Sequence, residues 1–144
     1  MPDMTLEIVT AERVVYSEEI DFLVAPGSDG ELGVLPRHAP LLTTLDPGEI
    51  RVTVGGEETY MFVSGGFLEV LGNRVTILAN AAEQADEIDE ERAEIALQRA
   101  QERIASAPAD MDLERALASM RRSAARLGVA RRRRRARRGD QPPQ

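Results

Sequence analysis

The sequence predicts an α+β protein: an N-terminal antiparallel β-sandwich or flattened barrel followed by a C-terminal antiparallel two-helix hairpin. Three observations carry this. Apolar residues alternate at period two through the first 84 residues, Gly- and Pro-containing turns interrupt them at short intervals, and the grammar then changes to a Gly- and Pro-free stretch rich in helix formers.

The alternation is explicit in four segments. Met4, Leu6 and Ile8 alternate with Thr5 and Glu7, and Ile20, Phe22 and Val24 with Glu19 and Asp21. Ile50, Val52 and Val54 alternate with Arg51 and Thr53, and Val75, Ile77 and Ala79 with Thr76 and Leu78. Pro26-Gly27, Asp46-Pro47-Gly48, Gly55-Gly56 and Gly72-Asn73 punctuate these runs, the last two as two-residue hairpin turns that tolerate positive φ. Many short strands with frequent turns suit a sandwich or flattened barrel, and with few aromatic residues its core must be Val, Ile, Leu and Ala.

From Asp86 to Ala107 there is neither Gly nor Pro, and acidic residues cluster at the start, where they complement the helix dipole. Ala93, Ala96, Leu97, Ala100 and Ile104 form one helical stripe. Pro108 ends that helix, Asp110 or Asp112 can cap a second, and its stripe is Leu113, Ala116, Leu117, Met120, Ala124 and Leu127, with Gly128 offering a stop. Two matched stripes and a short link predict an antiparallel hairpin. Because the stripes are mostly Ala, each position buries little area at ~25 cal/mol per Å², so the hairpin needs a docking surface and can exchange one for another. The expected organisation is residues 1–85 as sandwich, 86–130 as hairpin, and 131–144 as a disordered Arg-rich tail in which self-repulsion opposes a helix.

Charge is unevenly spread. Residues 1–85 hold four Arg against 14 acidic residues, residues 86–120 four against ten, and residues 121–144 ten against one. All 18 basic residues are Arg, whose forked donors suit carboxylates and phosphates. With no Cys and one His, a disulfide framework and a Cys/His zinc site are excluded. No apolar run approaches the ~20 residues that span a bilayer, and MPDMTLEIVT lacks the character of a secretory signal. The chain is expected to be soluble and intracellular, without direct membrane insertion.

Three motifs remain. GELGVLPRHAPLL, Gly30 to Leu42, reads alone as a Gly/Pro-shaped loop entering a strand, and SGGFLEV, Ser64 to Val70, as a bulge or close backbone approach. IDEERA, Ile88 to Ala93, reads alone as helix N-terminal chemistry. Their joint occurrence, ahead of a helical hairpin, resembles the epsilon subunit of bacterial F-type ATP synthases over about Met4 to Ala130.

The resemblance implies a non-catalytic rotor component of the central stalk. Its sandwich would contact the gamma subunit and, through Glu31 and His38, the membrane c-ring, coupling proton-driven rotation to ATP synthesis. The complex would lie peripherally on the cytoplasmic side of the cell membrane. The hairpin would inhibit ATP hydrolysis by the alpha/beta catalytic hexamer, its second helix presenting Arg115, Arg121, Arg122 and Arg126 to an acidic segment of the catalytic beta subunit.

In IDEERA, Ile88, Asp89, Arg92 and Ala93 fill the fixed positions of the ATP site of some family members, and Glu83, Arg99, Arg122 and Arg126 match further positions. No cofactor is required; ATP is a regulatory ligand at most. Asp89 and Arg92 share a helix face, and Arg99 lies within ~20° of Arg92. A carboxylate there can accept the adenine amino hydrogens while Arg forks hold phosphate oxygens. On an ideal wheel Arg122 and Arg126 lie on the side of the second helix away from its stripe, so a rotated or bent helix is needed to bring them to Arg92. No P-loop or metal-carboxylate constellation accompanies these residues, so bound ATP would be sensed and not hydrolysed. The alternative is a nucleic-acid-binding module with a basic C-terminal arm; the acidic body and lack of interleaved aromatics weaken it, so no nucleic acid is expected.

Overall fold

A computed structural model describes residues 4–106 and 112–138, the side chains of 133–138 excepted. Ten strands come first: β1 (Met4–Val9), β2 (Val14–Ile20), β3 (Phe22–Gly27), β4 (Gly30–Val34), β5 (Leu41–Leu45), β6 (Gly48–Val54), β7 (Glu57–Val63), β8 (Gly66–Leu71), β9 (Arg74–Ala79) and β10 (Ala82–Gln84). A 3₁₀ turn, Ala85–Glu87, leads to helices α1 (Glu90–Ala105) and α2 (Leu113–Arg138). The strands form one sheet in the order β10-β7-β6-β3-β5-β8-β9-β1-β2, with β4 paired to β3. It is antiparallel except where β1 runs parallel to β9. The sheet curls until its ends approach, and Gln84 Nε2 on β10 donates to the Val15 carbonyl oxygen on β2 at 2.9 Å.

The predicted alternation places Met4, Leu6, Ile8, Ile50, Val52, Val75, Ile77 and Ala79 in one buried core. Gly55-Gly56 and Gly72-Asn73 both have positive φ at their two central residues, as the twist of a two-residue hairpin requires. At Gly66, φ is 146° and a Cβ would collide with the Leu78 carbonyl oxygen, so the glycine pair of SGGFLEV permits a close backbone approach.

Several local expectations are corrected. The alternation through Ile20, Phe22 and Val24 breaks at Asp21, where the chain leaves β1 as partner and joins β6. Asp21 takes up Gly55 N–H with its carboxylate at 2.7 Å and the phase slips by one residue: Leu23 and Ala25 enter the sandwich core, Phe22 is only half-buried, and Val24 is buried outside that core cluster. Pro26-Gly27 ends β3, and the turn is Ser28-Asp29.

The first helix begins at Glu90 because Ile88 is extended and buried, and Asp89 caps the helix by accepting Arg92 N–H at 3.1 Å. Asp112 caps α2 through Arg115 N–H at 3.1 Å, whereas Asp110 and Pro108 lie outside the described residues. Gly128 does not stop α2, which runs on as helix to Arg138 through the start of the segment expected to be disordered. Val129 and Ala130 are buried there, and carboxylates pair with Arg131 and Arg132, offsetting the self-repulsion. Residues 139–144 lie outside the described residues.

A second, smaller buried cluster holds the helices. Phe62, Ala85, Ile88, Ala93, Leu127, Val129 and Ala130 form it, with Tyr60, Leu97 and Ala125 packed at its edge. Strand β7 therefore serves two cores: Met61 and Val63 point into the sandwich and Phe62 points out at α2.

Candidate functional site

The outer face of β10, β7 and β6 is the surface on which α2 lies. Register aligns Glu83 with Phe62 and Phe62 with Glu49, so one cross-strand row reads carboxylate, aromatic ring, carboxylate. Glu83 grips Arg126 with two parallel hydrogen bonds, 2.6 Å from Nε and 2.9 Å from Nη2. Both side chains are about 30% exposed, at 30% and 29%. Hydrogen bonding to Glu83 holds the Arg126 guanidinium still further above its ordinary pKa, and the Asp89 carboxylate adds to this.

The expected orientation of Arg126 is thus reversed. At 100° per residue, Ser123, Val129 and Ala130 lie within about 60° of it, and this flank of α2 faces the protein. The reason is that the C-terminal half of α2 is wedged between α1 and the sheet and buries two sides, whereas the predicted stripe assumed one. Ala124, on that stripe, is exposed.

A cavity of about 390 Å³ opens beside the Glu83–Arg126 pair, lined by Phe62, Ser64, Ala81, Ser119, Arg122 and Ser123 as well as the pair itself. Its polar lining comprises two guanidinium groups, one of them paired with the Glu83 carboxylate, and three hydroxyls, beside one aromatic ring. The structure therefore brings together Glu83, Arg122 and Arg126, with Asp89 close to Arg126. It leaves Arg92 on the exposed face of α1, 85% exposed and 3.7 Å from Asp89, and Arg99 is exposed too. Ile88 and Ala93 are buried packing residues of the second cluster.

Upstream of this site the linker is pinned. Arg13, in the β1–β2 loop, donates from both terminal nitrogens to the Glu87 carboxylate at 2.9 Å each, and Glu87 also accepts Gln84 N–H at 2.9 Å. The Arg13 hydrogen bonds draw the Glu87 carboxyl below its usual pKa.

Glu31 and His38 share a second concavity, distinct from the cavity beside Glu83. They line one shallow concavity of about 460 Å³ with Gly27, Gly33 and Leu41. The His38 Nδ1 lies 2.7 Å from the Ala39 carbonyl oxygen.

Sequence reasoning missed a further surface. Leu42, Phe67 and Leu78 are 70%, 53% and 56% exposed, and register pairs Phe67 with Leu78 on the outer face of β8 and β9. The available signal was the apolar doublets Phe67-Leu68 and Ile77-Leu78, which make both faces of a strand apolar where alternation alone gives one. Among the described residues, no helix is long and apolar enough to cross a membrane.

This architecture, a curled β-sandwich with an α-hairpin docked on its outer face, matches known families along its length. The model for "ATP synthase, Delta/Epsilon chain, beta-sandwich domain" matches residues 3–85, and that for "ATP synthase, Delta/Epsilon chain, long alpha-helix domain" matches residues 86–131. The chain belongs to the ATP synthase delta/epsilon family. Among its curated relatives is the ATP synthase epsilon chain of Desulforamulus reducens, 52% identical over 125 residues, which are 87% of this chain and 95% of that one. The ATP synthase epsilon chain of Herpetosiphon aurantiacus is 54% identical over 129 residues, 90% of this chain and 95% of that one. A chain in the Euglena gracilis mitochondrial ATP synthase, a structure of OSCP, F1 and c-ring, shares the fold with a TM-score of 0.69 at 24% identity, covering 94% of this chain and 82% of that one.

Proposed function

We propose that this chain works as a non-catalytic stalk subunit whose sandwich binds the rotor and whose hairpin regulates ATP hydrolysis. The observation that carries this is the separation of the two buried clusters. The sandwich core is complete without the helices, and α2 is held by a small second cluster and a few ion pairs. A module attached in this way can leave without unfolding what it leaves.

On this reading the apolar outer face around Leu42, Phe67 and Leu78 packs against the gamma subunit, and the concavity containing Glu31 and His38 meets polar loops of the c-ring. Docked, the hairpin leaves rotation free. Detached and extended along the shaft, it presents Arg115, Arg121 and Arg122, together with Arg126 freed from Glu83, to carboxylates of the catalytic beta subunit. The complex lies peripherally on the cytoplasmic face of the cell membrane.

ATP is the regulatory ligand of the docked form. Arg122 and Arg126 would hold its phosphates, with Glu83 and Asp89 available to polar hydrogens of the nucleoside; Arg92 and Arg99 would have to turn inward to join them. Binding stabilises the docked form by RT ln(1 + [ATP]/Kd), ~2.7 kcal/mol at a hundredfold excess over Kd. The rival reading, a nucleic-acid module, loses support because Arg131 and Arg132 already pair with carboxylates.

Truncation after Ala85 in the assembled complex tests the regulatory role. Hydrolysis should rise, and an unchanged rate removes the role. Titration of the isolated chain with ATP tests the ligand: Arg122→Ala and Arg126→Ala should weaken binding, and parent-like affinity in both places the site elsewhere.

A further inference from the structure

We propose that Arg132 is the terminal clasp of the hairpin, a second staple that holds α2 across the sheet at the opposite end of the Glu83–Phe62–Glu49 row. Arg132 donates from Nε and Nη2 to the two oxygens of Glu49 at 3.2 and 3.1 Å, and its guanidinium lies 4.9 Å from the centroid of the Tyr60 ring. Arg131 beside it reaches Glu90 and Glu94 of α1 at 3.7 and 3.9 Å. The end of α2 is therefore tied to the sheet by one Arg and to α1 by the next.

The spacing explains why two staples fit. Arg126 and Arg132 are six residues apart, about 9 Å along a helix axis, and about 120° apart around it. Glu83 and Glu49 are separated by one intervening strand, roughly 9.6 Å across the sheet. The helix can therefore cross the strands with one Arg reaching down each flank and the buried Val129 seated between them. This arrangement needs α2 to stay helical through Gly128, as it does. Arg132 lies one residue beyond the stretch matched by the family's helical-domain model and away from the cavity that contains Arg122. The clasp is thus a property of the Arg-rich extension, distinct from the nucleotide site, and it makes docking sensitive to salt because its members are partly exposed.

The inference rests on the reading that the hairpin detaches, and its test separates the two. Since the chain has no Cys, Glu57→Cys and Ala124→Cys supply a unique pair of spin-label sites on the sheet and on α2 in the full chain. Arg132→Glu should lower the docked-to-undocked ratio by about tenfold through the lost pair, the lost ring contact and the new repulsion. Glu49→Arg should do likewise, and the double charge swap should recover at least part of the loss. Raising salt from 0.05 to 0.5 M should open the parent more than the Arg132→Glu chain. Leu127→Ala serves as a control that opens the hairpin by another route. If Leu127→Ala opens it and Arg132→Glu leaves the ratio as in the parent, the clasp is wrong and detachment stands. If the double swap is as open as both single changes combined, the specific pairing is wrong. If no variant opens the hairpin, detachment fails and the clasp falls with it.

Discussion

Replacing Leu127 by Ala should detach α2 while leaving the sandwich intact. Leu127 is 3% exposed and is the largest aliphatic contribution of α2 to the second cluster, whose other members include Phe62, Ala93 and Ala130. Truncating a core Leu to Ala costs about 2–5 kcal/mol, depending on how far the surroundings collapse. The Ala side chains here are too short to refill the space, but the site borders solvent, so the lower part of that range applies. Taking about 2–3 kcal/mol, the docking equilibrium falls roughly 30- to 150-fold. Leu127 takes no part in the sandwich core, so strand stability should not move.

Hydrogen exchange on the full chain reads both parts at once. An undocked Ala-rich helix is marginal in water, so α2 amides should lose protection by about the same factor while β1, β6, β7 and β9 keep theirs. Equal loss in strands and helix would mean that the two clusters are one cooperative core. Unchanged protection in α2 would mean that something other than the second cluster holds the helix.

Three further outcomes follow from single positions. Gly66→Ala should cost more than ~3 kcal/mol in denaturant melts of the sandwich, since it meets a positive φ and a backbone collision together. Gly128→Ala should raise helix stability by about 0.5–1 kcal/mol in thermal melts, because a Cβ there meets nothing within 4 Å. The Glu87 pKa is depressed in the folded chain, so its contribution is present above the unfolded value of 4.5 and lost as pH falls through the lower folded value. Protection factors at the linker amides, taken relative to intrinsic exchange at each pH, should fall across that acid window in the parent, and Glu87→Gln should abolish this part of the pH dependence.

The sheet was readable because one face of each strand is buried, so period two survives in Leu6-Glu7-Ile8 or Val75-Thr76-Ile77. It misled at Asp21, where a change of partner strand shifts the phase without any Gly or Pro to announce it. The helices were readable as helices, but not their inner faces. A wheel of α2 assumes one buried stripe, and the helix is wedged against two surfaces, so Arg126 falls inside the angle that packing selects. The continuation past Gly128 was hidden for a related reason. Local propensity and like-charge repulsion both argue against it, and the carboxylates that outweigh them, Glu49, Glu90 and Glu94, are distant in sequence. The grouping of Glu83, Arg122 and Arg126 was inferred from family resemblance, and the docking of α2 on the sheet, held by the Glu83–Arg126 pair, supplies its physical basis.

The central claim, that a docked hairpin releases hydrolysis and a detached one inhibits it, is tested most directly by fixing the docked state. Ser64→Cys and Ser123→Cys line one cavity in a chain otherwise free of Cys, so a bis-maleimide can join sheet and helix at a unique pair. The assembled complex carrying the cross-linked chain should hydrolyse ATP as fast as one carrying the chain truncated after Ala85. A cross-linked complex that stays as inhibited as the unlinked one would contradict the account.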